Sequence, residues 1–195
     1  MLIQKLLFPL LVLFAFAACE DDDDVTLDPT KDSGAPVAVY KDSSEGRTVV
    51  QGAYSGLCRT EDGITAHFRT EDLIPGNAYT LWFVVFDDEP GPPSSTYASG
   101  YVAGESGEAT FAGHLRVGDG FDAPGTLTTF NTPLTAEVHL ALRTHGPVQP
   151  GKIQIQTQTM DGGCTSGFPS GPLLHPDSDE VGYCANVQVA IHPAQ

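Results

Sequence analysis

Tyr79-Thr80-Leu81-Trp82-Phe83-Val84-Val85-Phe86 is apolar on both parities of an extended chain. A strand of that kind must be covered on both faces, so this segment predicts the central strand of the core. The stretches around it alternate instead. Ile64, Ala66 and Phe68 are interleaved with Thr65, His67 and Arg69, and Ala109, Phe111 and Leu115 with Thr110, Ala112, His114 and Arg116. Val138, Leu140 and Leu142 alternate with Glu137, His139 and Arg143, and Ile153 and Ile155 with Lys152, Gln154 and Gln156; Val187, Val189 and Ile191 repeat the pattern. Each reads as a half-buried strand. About nine such strands, broken by Gly and Pro and with no amphipathic helix, predict an all-β fold, an antiparallel β-sandwich.

The 195-residue chain carries a formal net charge of -16 with only 9 Lys and Arg. That balance argues against nucleic acid or an anionic membrane surface as partner, because both require clustered basic residues. Near the start, Lys5 precedes an apolar run from Leu6 to Ala18, which reads as a secretory signal peptide. At about 13 residues the run is too short to span a bilayer comfortably. The remaining chain, 177 residues from Cys19 to Gln195, suits one domain. The expected organisation is a signal at 1–18, a cysteine and acidic flexible tether at 19–35, and the β domain at 36–195.

Ala17-Ala18-Cys19 resembles the bacterial lipobox, with Phe16 where that pattern prefers Leu. The resemblance implies acylation of Cys19 and a protein held by lipid in the cell envelope, in the outer membrane, either periplasmic or surface-exposed. The acidic run Glu20 to Asp24 has two readings. It is a solvated start to the tether, or it is similar to the acidic signals that follow the lipidated cysteine in surface-exposed lipoproteins of some Gram-negative bacteria.

Three further cysteines lie in the domain. Cys164 and Cys184 bracket a Gly, Pro and Ser-rich segment just before the last strand, and an exported chain is expected to pair them. Closing about 20 residues would add roughly 3 kcal/mol. Cys58 is then expected to be a buried free thiol.

No Gly-x-Ser-x-Gly elbow, His-Glu-x-x-His, Walker loop or dinucleotide fingerprint is present. Asp87-Asp88-Glu89 and Asp177-Ser178-Asp179-Glu180 lack the ligand alternation of a calcium loop and read as solvated turns. An enzyme is therefore not the first expectation.

Polar chemistry gathers elsewhere. Strand alternation puts Glu137, His139, Arg143 and, if the strand lasts, His145 on one face. If neighbouring strands lie beside it, Gln154, Gln156, Gln158, Gln188 and His192 extend this face. Such a surface suits a glycan or protein ligand. Its alternative use is copper or zinc binding by His139, His145 and His192, since neutral imidazole is the commonest transition-metal ligand. Two family resemblances bear on the architecture. Leu73-Ile74-Pro75-Gly76-Asn77-Ala78-Tyr79 resembles the turns that enter strands of immunoglobulin-like and fibronectin-like sandwiches. Gly107-Glu108-Ala109-Thr110-Phe111 and His139 through His145-Gly146-Pro147 resemble parts of chordin-type (CHRD) domains, secreted β-sandwiches, with the histidines six residues apart here. The expected function is thus a lipid-anchored extracytoplasmic binding or structural module.

Overall fold

The structure, a computed structural model, describes residues 35–43, 46–86, 90–164 and 184–195. The expected signal at 1–18, Cys19 and the expected tether, the acidic stretches 87–89 and 177–180 and the segment between the paired cysteines lie outside the described residues.

The fold is all-β. Eight strands, β1 (Val37–Ser43), β2 (Gly46–Thr60), β3 (Gly63–Thr70), β4 (Asn77–Phe86), β5 (Ser94–Val102), β6 (Ala109–Arg116), β7 (Glu137–Pro147) and β8 (Ala185–His192), form one sheet in the order β5-β4-β7-β8-β1-β2-β3-β6. Every pairing is antiparallel. The sheet curls until its edge strands β5 and β6 approach. Tyr101 on β5 meets Phe111 on β6 edge to face at 5.9 Å.

Closure wraps the inward parities around one core of Ile64, Phe68, Leu81, Phe83, Phe111, Phe130, Leu140 and Leu142, each no more than 2 % exposed. β4 is covered on its other face too, as its composition predicts. Its outward Trp82 packs edge to face on Tyr97 at 5.9 Å, and the Tyr97 hydroxyl donates to the Thr157 carbonyl of the short helix α1 (Ile153–Gln158). The turn into β4 follows from Pro75 and Gly76. Gly76 has φ +78°, Asn77 N donates to Ile74 O at 3.2 Å, and Ile74 N donates to the Tyr79 hydroxyl at 2.9 Å.

Helix α1 corrects the expectation of a strand over Lys152 to Gln158, and the described residues hold eight strands where about nine were expected. Its Ile-Gln alternation is too short to hold a register without a partner strand, and hydrogen bonding decides otherwise. Gln156, alone buried in the helix, donates to the carbonyls of His145 and Pro147, and its Oε1 accepts from Gln149 N. One amide thus satisfies three backbone groups where β7 ends. Ile153 and Ile155 are left about half exposed, at 48 % and 50 %.

The β5–β6 approach depends on a small residue. A Cβ at Gly113 would lie 2.7 Å from Ala98 Cβ and 3.2 Å from Phe83 Cε2. Gly113→Val is expected to cost about 1–3 kcal/mol in chemical denaturation, as overpacking does. An unchanged midpoint would show that β5 and β6 do not meet there.

Candidate functional site

The face expected on β7 forms, and then most of it is covered. Glu137, His139 and Arg143 share the outward parity, opposite the core residues Val138, Leu140 and Leu142. Only the first two remain accessible. His139 Nε2 lies 2.7 Å from Glu137 Oε1, and its ring sits 4.4 Å from that of Phe86. Burial lowers the His139 pKa, against the raising effect of Glu137.

Arg143 corrects the expectation of an exposed ligand. It is 2 % exposed, because the segment after α1 lies over it: Nε donates to Met160 O at 2.6 Å, and the terminal nitrogens donate to Asn186 Oδ1 and Cys184 O. Gln156 is likewise interior, while Gln154 is exposed on the helix. On β8 the parity is opposite to that expected. Unbroken register from Val138–His192 to Leu142–Gln188 sets both residues opposite inward side chains of β7, and inside the sheet Gln188 bonds Thr70 Oγ1 and Glu71 O and His192 Nε2 meets Ser55 Oγ at 2.9 Å.

The three histidines expected to share a metal therefore do not converge. His192 pairs across from Val138 on the inner face, whereas His139 points outward. His145 is six residues further along β7, about 20 Å at strand rise.

His145 is instead a fully buried structural group. The Gly162 carbonyl, which can only accept, lies 3.0 Å from Nδ1, so Nδ1 carries the proton. Nε2 then accepts from the Thr80 hydroxyl at 2.8 Å, whose oxygen in turn accepts from Trp82 Nε1 at 2.8 Å. Burial, first of all, holds its pKa at about 4, with the Gly162 bond and Asp161 raising it and Arg143 lowering it.

Cys164 and Cys184 stand at disulfide distance, with Cα atoms 5.6 Å apart, as their spacing predicts. Their sulfurs flank His145 Nδ1, so His145, Cys164 and Cys184 bring three ligand-type atoms within 4.8 Å. Bridged sulfurs supply no thiolate, and Nδ1 is committed to Gly162. The bridged protein is expected to hold no stoichiometric zinc or copper at this point. Elemental analysis before and after reduction checks this, and one equivalent of metal with the bridge intact would contradict it.

Cys58 is exposed, not buried, because it takes the outward parity of β2, between the inward Leu57 and Arg59. It should react with a thiol reagent in the native protein, without prior unfolding. Peptide mapping that finds it protected would refute this placement.

The accessible site that sequence reading missed lies across β2, β3 and β6. Cross-strand register places Tyr54 beside Arg69 and Arg69 beside Thr110, while Gly56 and Ala112 flank His67. The small neighbours leave His67 open, and Tyr54 stacks on it at 5.8 Å with an interplanar angle of 27°. Tyr101 closes the far side from β5, and Arg69 sits 3.9 Å from Glu108. The result is an open groove of about 510 Å³ with two tyrosines each 41 % exposed. Thr65, His67 and Arg69 already read as outward; what was missing was the pairing that brings Tyr54 and Tyr101 to them.

No protein-family model, curated protein or solved structure matches this chain.

Proposed function

We propose that the protein is a lipid-anchored, extracytoplasmic binding module that receives a neutral glycan in the Tyr54–Tyr101 groove. The observation that carries this reading is the pairing of half-exposed aromatic rings with Arg69, Glu108, Ser106 and Thr110 around one shallow concavity. Aromatic faces take the C–H faces of sugar rings, and the surrounding donors and acceptors orient hydroxyls. The net charge of -16 disfavours an anionic polysaccharide. Acylation at Cys19 supplies the membrane partner and the envelope location, and the stretch to residue 35 the spacer.

Two variants test the two parts. Cys19→Ala is expected to leave the detergent phase and lose the lipid mass on its N-terminal peptide; wild-type protein starting beyond residue 19 without lipid would overturn the anchor. Tyr54→Ala is expected to lose retention on neutral polysaccharides at unchanged folding stability. Retention that persists in Tyr54→Ala and in Tyr101→Ala would remove the groove from binding.

A further inference from the structure

A second concavity lies on the inner side of the sheet, at the end where the described chain begins and β8 finishes. It has a volume of about 240 Å³, with Ala35, Val37, Leu57 and Pro193 as apolar walls and Arg59, His192 and Gln195 as polar groups. Arg59 takes the inward parity of β2, between the outward Cys58 and Thr60, and is only 3 % exposed. A cation so placed needs a counter-charge, because burying an unpaired ion costs several kcal/mol.

Among the described residues no carboxylate provides one. The guanidinium donates to two carbonyls, Pro133 O at 2.9 Å and Pro193 O at 3.3 Å, out of five N–H groups available. Two neutral dipoles leave the charge and several donors unanswered. His192 adds no negative charge. Its Nε2 is engaged by Ser55, and its burial together with the nearby Arg59 keeps the ring neutral.

We propose that this cavity binds a small monocarboxylate with an apolar body, its carboxylate on the Arg59 guanidinium and its hydrocarbon part against Val37, Leu57 and Pro193. A planar guanidinium matches a carboxylate with two parallel hydrogen bonds, and the apolar walls distinguish such a ligand from an inorganic anion. This site is separate from the outer-face groove, and the inference does not rest on the glycan reading.

The test is calorimetric titration of the purified full chain at pH 7 with hexanoate and benzoate, against hexanol, benzamide and inorganic phosphate. The expected result is saturable binding of both carboxylates at one equivalent, at least tenfold tighter than any of the three controls. Arg59→Met should weaken carboxylate binding at least tenfold. A methionine in place of a buried arginine often folds well. Should it fail to fold, Leu57→Trp keeps Arg59 and fills the apolar side, with the same loss expected. Absence of carboxylate binding by the wild-type chain, equal binding of hexanol, equal binding of phosphate, or undiminished binding in a folded Arg59→Met or Leu57→Trp would each overturn the proposal.

Discussion

Between pH 7 and pH 4 the folded protein is expected to lose several kcal/mol of stability, with His145 and His192 as the main histidine source. Both rings have pKa values of about 4 in the fold, against 6.5 as the ordinary value. The cause is first burial in each case; for His192, the charges of Arg59 and His139 add to it. As pH falls through 6.5 the unfolded chain takes up protons at these two positions and the native chain does not, so protonation favours unfolding. Their contribution is complete above 6.5, shrinks down to about 4, and changes no further below that. An upper bound is on the order of 3 kcal/mol for each ring. Urea denaturation at closely spaced pH values measures the slope, and His192→Gln should flatten part of it by removing one titrating group. A stability that stays level from pH 6.5 to 4 would contradict the buried, neutral assignment of both rings.

Arg143→Ala is expected to destabilise the domain by about 3–5 kcal/mol. The substitution opens a cavity under the segment after α1 and strands the acceptors at Met160 O, Asn186 Oδ1 and Cys184 O. His139→Ala, on the same outward face, should cost only about 0.5–1 kcal/mol, since it gives up a part-exposed contact with Glu137 and Phe86. Denaturation midpoints of the two variants measure the contrast. If both cost the same small amount, the cover over Arg143 is absent in solution and the β7 face regains its claim to a ligand.

That contrast shows where reading the chain alone stops. The doubly apolar β4 and the alternating β3, β6 and β7 were legible, because a period of two follows from backbone geometry and needs no knowledge of neighbours. So was the pairing of Cys164 with Cys184. What lay beyond reach depended on covering and register. Nothing in Arg143 or His145 themselves says that residues 160–162 will lie over them. Nothing in the alternation of β8 reveals that its pairing sets Gln188 and His192 opposite the inward Leu142 and Val138. Ile153 to Gln158 has a strand's alternation, yet one buried amide, Gln156, gains three backbone partners as a helix. The groove was hidden for a related reason: Tyr54 reaches His67 and Arg69 through the register of the β2–β3 hairpin, and Tyr101 reaches them only when the sheet curls β5 against β6.

The groove is the centre of the functional account, and the most direct test is an amide chemical-shift titration of the ¹⁵N-labelled full chain with a panel of neutral oligosaccharides. The expected result is saturable shifts confined to the outer face around Tyr54, His67, Arg69, Tyr101 and Thr110, abolished in Tyr54→Ala. Shifts centred instead on Glu137 and His139, or no saturable shift with any neutral glycan in the panel, would contradict it.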